Sequence, residues 1–210
     1  EHTSRGLGDV YKRQDIERLA DILVASERPA VLFGQQVSAS GSHTSAIEFI
    51  RSLDIPAYMN GASRGMLPET DPHHFDRTRS DAFKEADVIL IVGTPFDFRM
   101  GYGRRISNAA TLVQIDQSYA TVGKNRDISL GLAGDPGAIL KAVEQSASGR
   151  IDKGAQKQRQ AWMARLREIE KAKLEKLLPM FQSGQNPIHP YRLAYEVNEF
   201  LNEDTIYIGD

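Results

Sequence analysis

Four short stretches carry side chains that could hold a ligand. Gly34-Gln-Gln-Val37 opens on a glycine, which lets backbone approach a bound group closely. Gly93-Thr-Pro-Phe-Asp-Phe-Arg99 offers the hydroxyl of Thr94, the carboxylate of Asp97 and the guanidinium of Arg99. Asp116 closes the run Leu112-Val-Gln-Ile-Asp116, a position from which a carboxylate accepts hydrogen bonds from ribose hydroxyls. Gly134-Asp135 stands at the start of a helical pattern, where free backbone amides suit an oxygen-rich ligand. Each stretch also has a structural use, since glycines make tight turns and Asp135 can cap a helix. Gathered into one crevice, they would fit a nucleotide.

Other chemistry has less support. Asp71-Pro-His-His74 supplies metal-ligand types, but adjacent histidines in a loop rarely face one ion, and a solvated turn is the expectation. The three-glycine dinucleotide spacing, the phosphate-loop Gly-Lys-Ser and a nucleophile elbow are all missing. With no cysteine, disulfides, thiolate zinc sites and cysteine nucleophiles drop out together. The pattern therefore gives a binding crevice with no catalytic residue and no metal ligand.

The elements that must position these residues follow from periodicity. Ile16, Leu19, Ala20 and Leu23 recur at helical spacing, and Ala30-Val-Leu-Phe-Gly34 is a short apolar strand. A helix over 42–53, a strand over 55–59, a long connection over 60–76 and a short helix from Asp81 come next. The runs 87–93, 112–116 and 128–132 read as strands, and Asp135-Pro136 opens a helix through Val143. Strands that are continuous apolar runs, alternating with helices, predict a doubly wound parallel α/β sheet over 15–150. Residues 151–178 carry eight basic and four acidic side chains, and predict a solvated interdomain helix about 36 Å long over 155–178. That helix falls in a charged linker, 151–186. A further helix at 191–201 and a strand at 205–208 would begin a second α/β domain, 187–210, cut short. Residues 1–14 have no periodicity and read as a non-native or disordered leader.

Among the 210 residues, 26 basic and 28 acidic side chains leave a formal charge of −2, which gives no global attraction for nucleic acid or an anionic membrane. No apolar run reaches the roughly 18 residues of a membrane span. A cytoplasmic setting is the default expectation.

Residues 15–150 resemble the central domain of thiamine-diphosphate-dependent enzymes of the acetolactate synthase group. The resemblance runs through Arg64-Gly-Met-Leu-Pro68 and Ala86-Asp-Val-Ile-Leu-Ile-Val-Gly93 to Asp97-Phe-Arg-Met-Gly-Tyr-Gly103, Gln114-Ile-Asp-Gln117, Gly123-Lys-Asn-Arg126 and Gly134-Asp135. Residues 187–210 resemble the opening of that family's diphosphate-binding domain. The resemblance implies a carboligase or lyase using thiamine diphosphate and Mg²⁺ on a 2-oxo acid or 2-hydroxyacyl substrate, assembled as a homo-oligomer. It places the activating glutamate upstream and the metal-binding Gly-Asp-Gly downstream, so Gly209-Asp210 is not that motif and the fragment alone is expected to be inactive. The 2-hydroxyacyl-CoA lyases and 2-oxo acid decarboxylases are the alternatives within the enzymes. A nucleotide-binding module of sirtuin-like architecture, or an oligomerisation spacer without catalysis, is the alternative outside them.

The resemblance also implies FAD, ADP or nothing in the central domain, and sets Gly34, Gly93, Thr94, Asp97, Asp116 and Asp135 around such a ligand. Two departures weigh against FAD. Gln36 stands where flavin-binding members have a second glycine, and Pro95 where they have an arginine.

Overall fold

A computed structural model describes residues 13–202, 204–206 and 208. Five parallel strands form one sheet in the order β2-β1-β3-β4-β5: β1 Pro29–Phe33, β2 Ala57–Met59, β3 Val88–Val92, β4 Thr111–Asp116 and β5 Leu130–Ala133. The order reverses at β1, which leaves a topological switch point between the carboxyl ends of β1 and β3.

Alternation along each strand feeds two apolar layers. Val31, Phe33, Leu90 and Val92 point to one layer, and Ala30, Leu32, Ile89 and Ile91 to the other. The first layer is covered by α1 Arg13–Ala25, α3 His43–Leu53 and α5 Pro136–Ala147, through Leu19, Leu23, Phe49, Ile50, Ile139 and Val143. The second is covered by α4 Arg79–Glu85 and by α6 Lys153–Phe181 through Ala82, Phe83, Trp162 and Leu166. Both faces are thus clad in helices, as the uninterrupted apolar strands require. Pro29 sits at the first residue of β1, where its missing N–H costs no ladder bond.

Several expectations shift. The leader boundary moves, because α1 already includes Arg13 and Gln14, with Arg13 paired to Glu17; residues 1–12 lie outside the described residues. The strand expected from 55 begins at Ala57, and the one expected over 128–132 runs Leu130–Ala133. A short helix, α2 Gln35–Ala39, follows Gly34 in a stretch to which the sequence reading assigned no element.

The larger correction concerns the helix read as a solvated linker. The first compact unit of the chain continues through Arg167, so the first turns of α6 belong to it. Arg159, Trp162 and Leu166 are buried at helical spacing. Trp162 Nε1 donates to the Pro29 carbonyl at 3.0 Å, and Arg165 forms a two-pronged ion pair with Glu85 at 3.0 Å. Arg159 is fully buried and donates to three carbonyls, those of Leu23, Ser26 and Leu53. Burial lowers the pKa of its guanidinium, and the charges of Asp54 and Asp87 oppose that shift. Asp87 also accepts from Ser26 Oγ at 2.5 Å and from the amides of Glu27 and Arg28 at 2.9 and 3.0 Å, closing the turn between α1 and β1.

The second unit, from Glu168, holds the rest of α6 and α7 Pro190–Asn198. His189 caps α7 by accepting from the Tyr191 amide at 3.2 Å, and Pro190 takes the first helical position. Phe181 stacks on Tyr195 and meets Tyr191 edge-on. The strand expected at 205–208 does not form over Thr205, Ile206 and Ile208, because a strand needs a neighbour for its amides and none lies beside it among the described residues. Tyr207 lies outside the described residues.

Candidate functional site

The carboxyl ends of β1, β3, β4 and β5 form one continuous rim. The Gly34 amide donates to the Val92 carbonyl at 2.7 Å, Gly93 to Ile115 at 2.8 Å, and Gly134 to Asp116 at 3.0 Å. Gly34 and Gly93 are required by closeness. A Cβ on Gly34 would stand 2.4 Å from Thr94 Cβ and 2.5 Å from the Gly93 carbonyl oxygen. Gly93 has φ +69°, and a Cβ there would meet Gln36 Cβ at 2.8 Å. Five of the six predicted residues, Gly34, Gly93, Thr94, Asp116 and Asp135, therefore line the rim, and Asp97 follows from the β3 loop.

Their hydrogen bonds are largely committed within the chain. Asp116 is fully buried; its Oδ1 accepts from the Ser118 amide at 2.8 Å and its Oδ2 from Gln36 Nε2 at 3.1 Å. Gln36 Oε1 in turn accepts from the Gln117 amide at 2.9 Å, so one glutamine spans from β1 to β4 across the switch point. Asp135 caps α5, accepting from the Ala138 amide at 2.8 Å. Asp97 caps the 3₁₀ turn Phe98–Gly103 through the Arg99 amide at 2.9 Å, and pairs with the Arg99 guanidinium at 3.1 Å. Thr94 is buried beside Gly34. The role of Gln36 was not foreseen: the sequence marks it as a departure, and only the fold shows that it bridges.

The Asp71-Pro-His-His74 turn is a buried lock. Asp71 Oδ2 takes Arg51 at 2.6 Å, while its Oδ1 takes the His73 amide at 2.8 Å and faces His73 Nδ1 at 3.3 Å. Burial alone would raise the Asp71 pKa, but the hydrogen bonds from Arg51 and His73 together hold it below its ordinary value. No group of three or more His, Asp or Glu side chains able to hold a metal ion occurs among the described residues.

A second concavity, of about 410 Å³, lies beside the carboxyl end of β2, between the 64–80 connection, α4 and the Phe98–Gly103 turn. Arg64, Arg77, Arg79, Arg99 and Arg105 line it over a floor of Tyr58, Phe75 and Phe83, and none of the six predicted residues does. Of these, sequence reasoning offered Arg99 as a ligand group and Arg64 only as part of a family-like stretch. The only signal for the rest is the repeated arginine in two irregular connections.

With this geometry in view, the comparisons place the chain. A family model described as thiamine pyrophosphate enzyme, central domain, matches residues 16–143. The acetolactate synthase large subunit of Mycobacterium tuberculosis is 31% identical over 202 residues, covering 93% of this chain and 34% of that protein. The 2-hydroxyacyl-CoA lyase 2 of Homo sapiens is 30% identical over 209 residues, covering 94% of this chain and 31% of that protein. The chain thus spans about a third of the length of these relatives. Benzoylformate decarboxylase from Polynucleobacter necessarius, a solved structure, aligns over 65% of this chain and 27% of its own at 18% identity, with a TM-score of 0.55, a likeness of fold. No helix among the described residues is long and apolar enough to cross a membrane. The match over 16–143, laid on the five-stranded parallel sheet, means that this chain belongs to the thiamine pyrophosphate enzyme central-domain family.

Proposed function

We propose that the chain is the central scaffold of a thiamine-diphosphate-dependent carboligase or lyase, which forms or cleaves a carbon–carbon bond next to a carbonyl in a 2-oxo acid or 2-hydroxyacyl substrate. The observation that carries this is the family match over 16–143, which covers the sheet. Thiamine diphosphate would supply the carbanion-stabilising ring. No step of the reaction is assigned to the described residues. Their part is to hold neighbouring domains in place. A homo-oligomer and a cytoplasmic setting go with this reading. Exposed Ile188, Leu193 and Phe200 in the second unit support an assembled state.

FAD and ADP do not fit the strand-end crevice as arranged. A ribose hydroxyl could reach Asp116 only by displacing Gln36, and the diphosphate path past Gly93 meets the same side chain. The domain is therefore read as structural at this crevice, with Gln36 in the position a ligand would take.

Titration calorimetry with FAD, ADP and NAD, alongside a pyruvate turnover assay with thiamine diphosphate and Mg²⁺, tests the reading. The expected outcome is no turnover by the 210-residue chain and a gain of FAD affinity of about tenfold or more in Gln36→Gly. Preferential binding of NAD would instead indicate the sirtuin-like class, and turnover by the chain alone would remove the scaffold role.

A further inference from the structure

The geometry points to a second ligand site, the arginine-lined cavity beside β2, which binds a small ligand carrying two or more phosphate groups. Five arginines line one space of about 410 Å³, and the lone carboxylate among the lining residues is Asp76. Asp76 and Arg77 are engaged in contacts of their own. Arg99 is shared with Asp97. The side chains of Arg64, Arg79 and Arg105 have neither an ion-pair nor a hydrogen-bond partner among the described residues.

Arg13, Arg51, Arg150, Arg165 and Arg192 each reach a carboxylate, in a protein with more acidic than basic residues. Bringing five like charges to one concavity is unfavourable unless an anion joins them. A monoanion such as a simple 2-oxo acid would answer only one of the five. An oligophosphate matches both the number of charges and the forked donor geometry of arginine. The volume falls within the range of small-molecule pockets, and the buried aromatic floor of Tyr58, Phe75 and Phe83 excludes water beneath the anion. The cavity is separate from the crevice closed by Gln36, so its occupancy does not depend on that crevice opening.

The test is titration calorimetry of inorganic tripolyphosphate into the full 210-residue chain at low ionic strength. The expected result is one-to-one binding that weakens by about tenfold in Arg79→Gln and by a similar factor in the double variant Arg64→Gln/Arg105→Gln. Arg79→Lys, which keeps the charge and loses the fork, retains only part of the affinity, and Arg150→Gln, whose partner is Asp21 elsewhere on the surface, leaves it unchanged. The double variant changes two exposed side chains, so it reads the site even where Arg79→Gln perturbs folding.

Coenzyme A, dephospho-coenzyme A and ADP are the further arms. Tighter binding of coenzyme A than of its dephospho form assigns the phosphates to a CoA compound. Tighter binding of ADP than of coenzyme A assigns them to a nucleotide. Either supports the site. Three results overturn it: no heat with tripolyphosphate up to about 1 mM, where even weak affinity registers; wild-type affinity retained in both arginine-to-glutamine variants; or a loss in Arg150→Gln as large as theirs. Because the probe is inorganic, none of these results bears on whether the chain belongs to a carboligase or a lyase.

Discussion

Replacing Arg159 with methionine tests whether the head of α6 is a keystone of the first unit rather than a linker. The change keeps an unbranched, largely apolar stem, shorter than that of arginine, and removes four hydrogen bonds to three carbonyls, those of Leu23, Ser26 and Leu53. Each orphaned carbonyl costs about 1 kcal/mol, or about 3 kcal/mol together. Relief of a buried charge offsets part of this, leaving about 2 kcal/mol of net loss. For a chain of this size that lowers the melting temperature by about 4–8 °C. Thermal denaturation followed by circular dichroism gives the stability. The only tryptophan, Trp162, lies one turn along the same helix and is buried, so its fluorescence reports undocking directly. Arg159→Lys, a point charge with a single head group, should fall between the two. Wild-type melting of Arg159→Met with unshifted tryptophan emission would refute the reasoning, for it would mean that the three carbonyls are satisfied without the guanidinium.

Other outcomes follow from the same geometry. Gly34→Ala forces a methyl group to within 2.4 Å of Thr94 Cβ, and should destabilise the unit by about 1–3 kcal/mol in urea titration. Asp71, with its pKa held below the ordinary 3.8, adds stability at neutral pH that fades as pH falls through its folded value. Asp71→Asn should therefore lose stability at pH 7 and show a shallower acid limb below about pH 4 when melting is followed against pH. Ser26→Ala frees Asp87 from its 2.5 Å partner and should cost about 1 kcal/mol, measured by the same denaturation.

Much of the architecture is legible because burial writes itself as composition. Val88-Ile-Leu-Ile-Val92 is covered on both faces, so it is apolar throughout, and Asp135-Pro136 announces a helix start that the structure confirms. The extent of the first unit is not legible. Arg159 looks like one more cation in a charged stretch, and its burial depends on three carbonyls contributed by residues more than a hundred positions away. The candidate crevice is half legible. Glycines at strand ends can be found by inspection, but whether Gln36 bridges or points outward is decided by pairing with Asp116, 80 residues on. The arginine cavity is the least visible, since its five cations come from separate segments between 64 and 105 that only the fold brings together.

The latch at Arg159 has a bearing on how the chain matures. The carbonyls it holds close the ends of α1 and α3, both made long before it. A ribosome that has delivered the five strands has therefore supplied a sheet whose second face is covered by α4 alone and whose helix ends are untied. Assembly of this unit completes only when α6 arrives. A protein ending at residue 150 should accordingly emerge as a sticky, loosely closed intermediate, held by chaperones or lost to proteases.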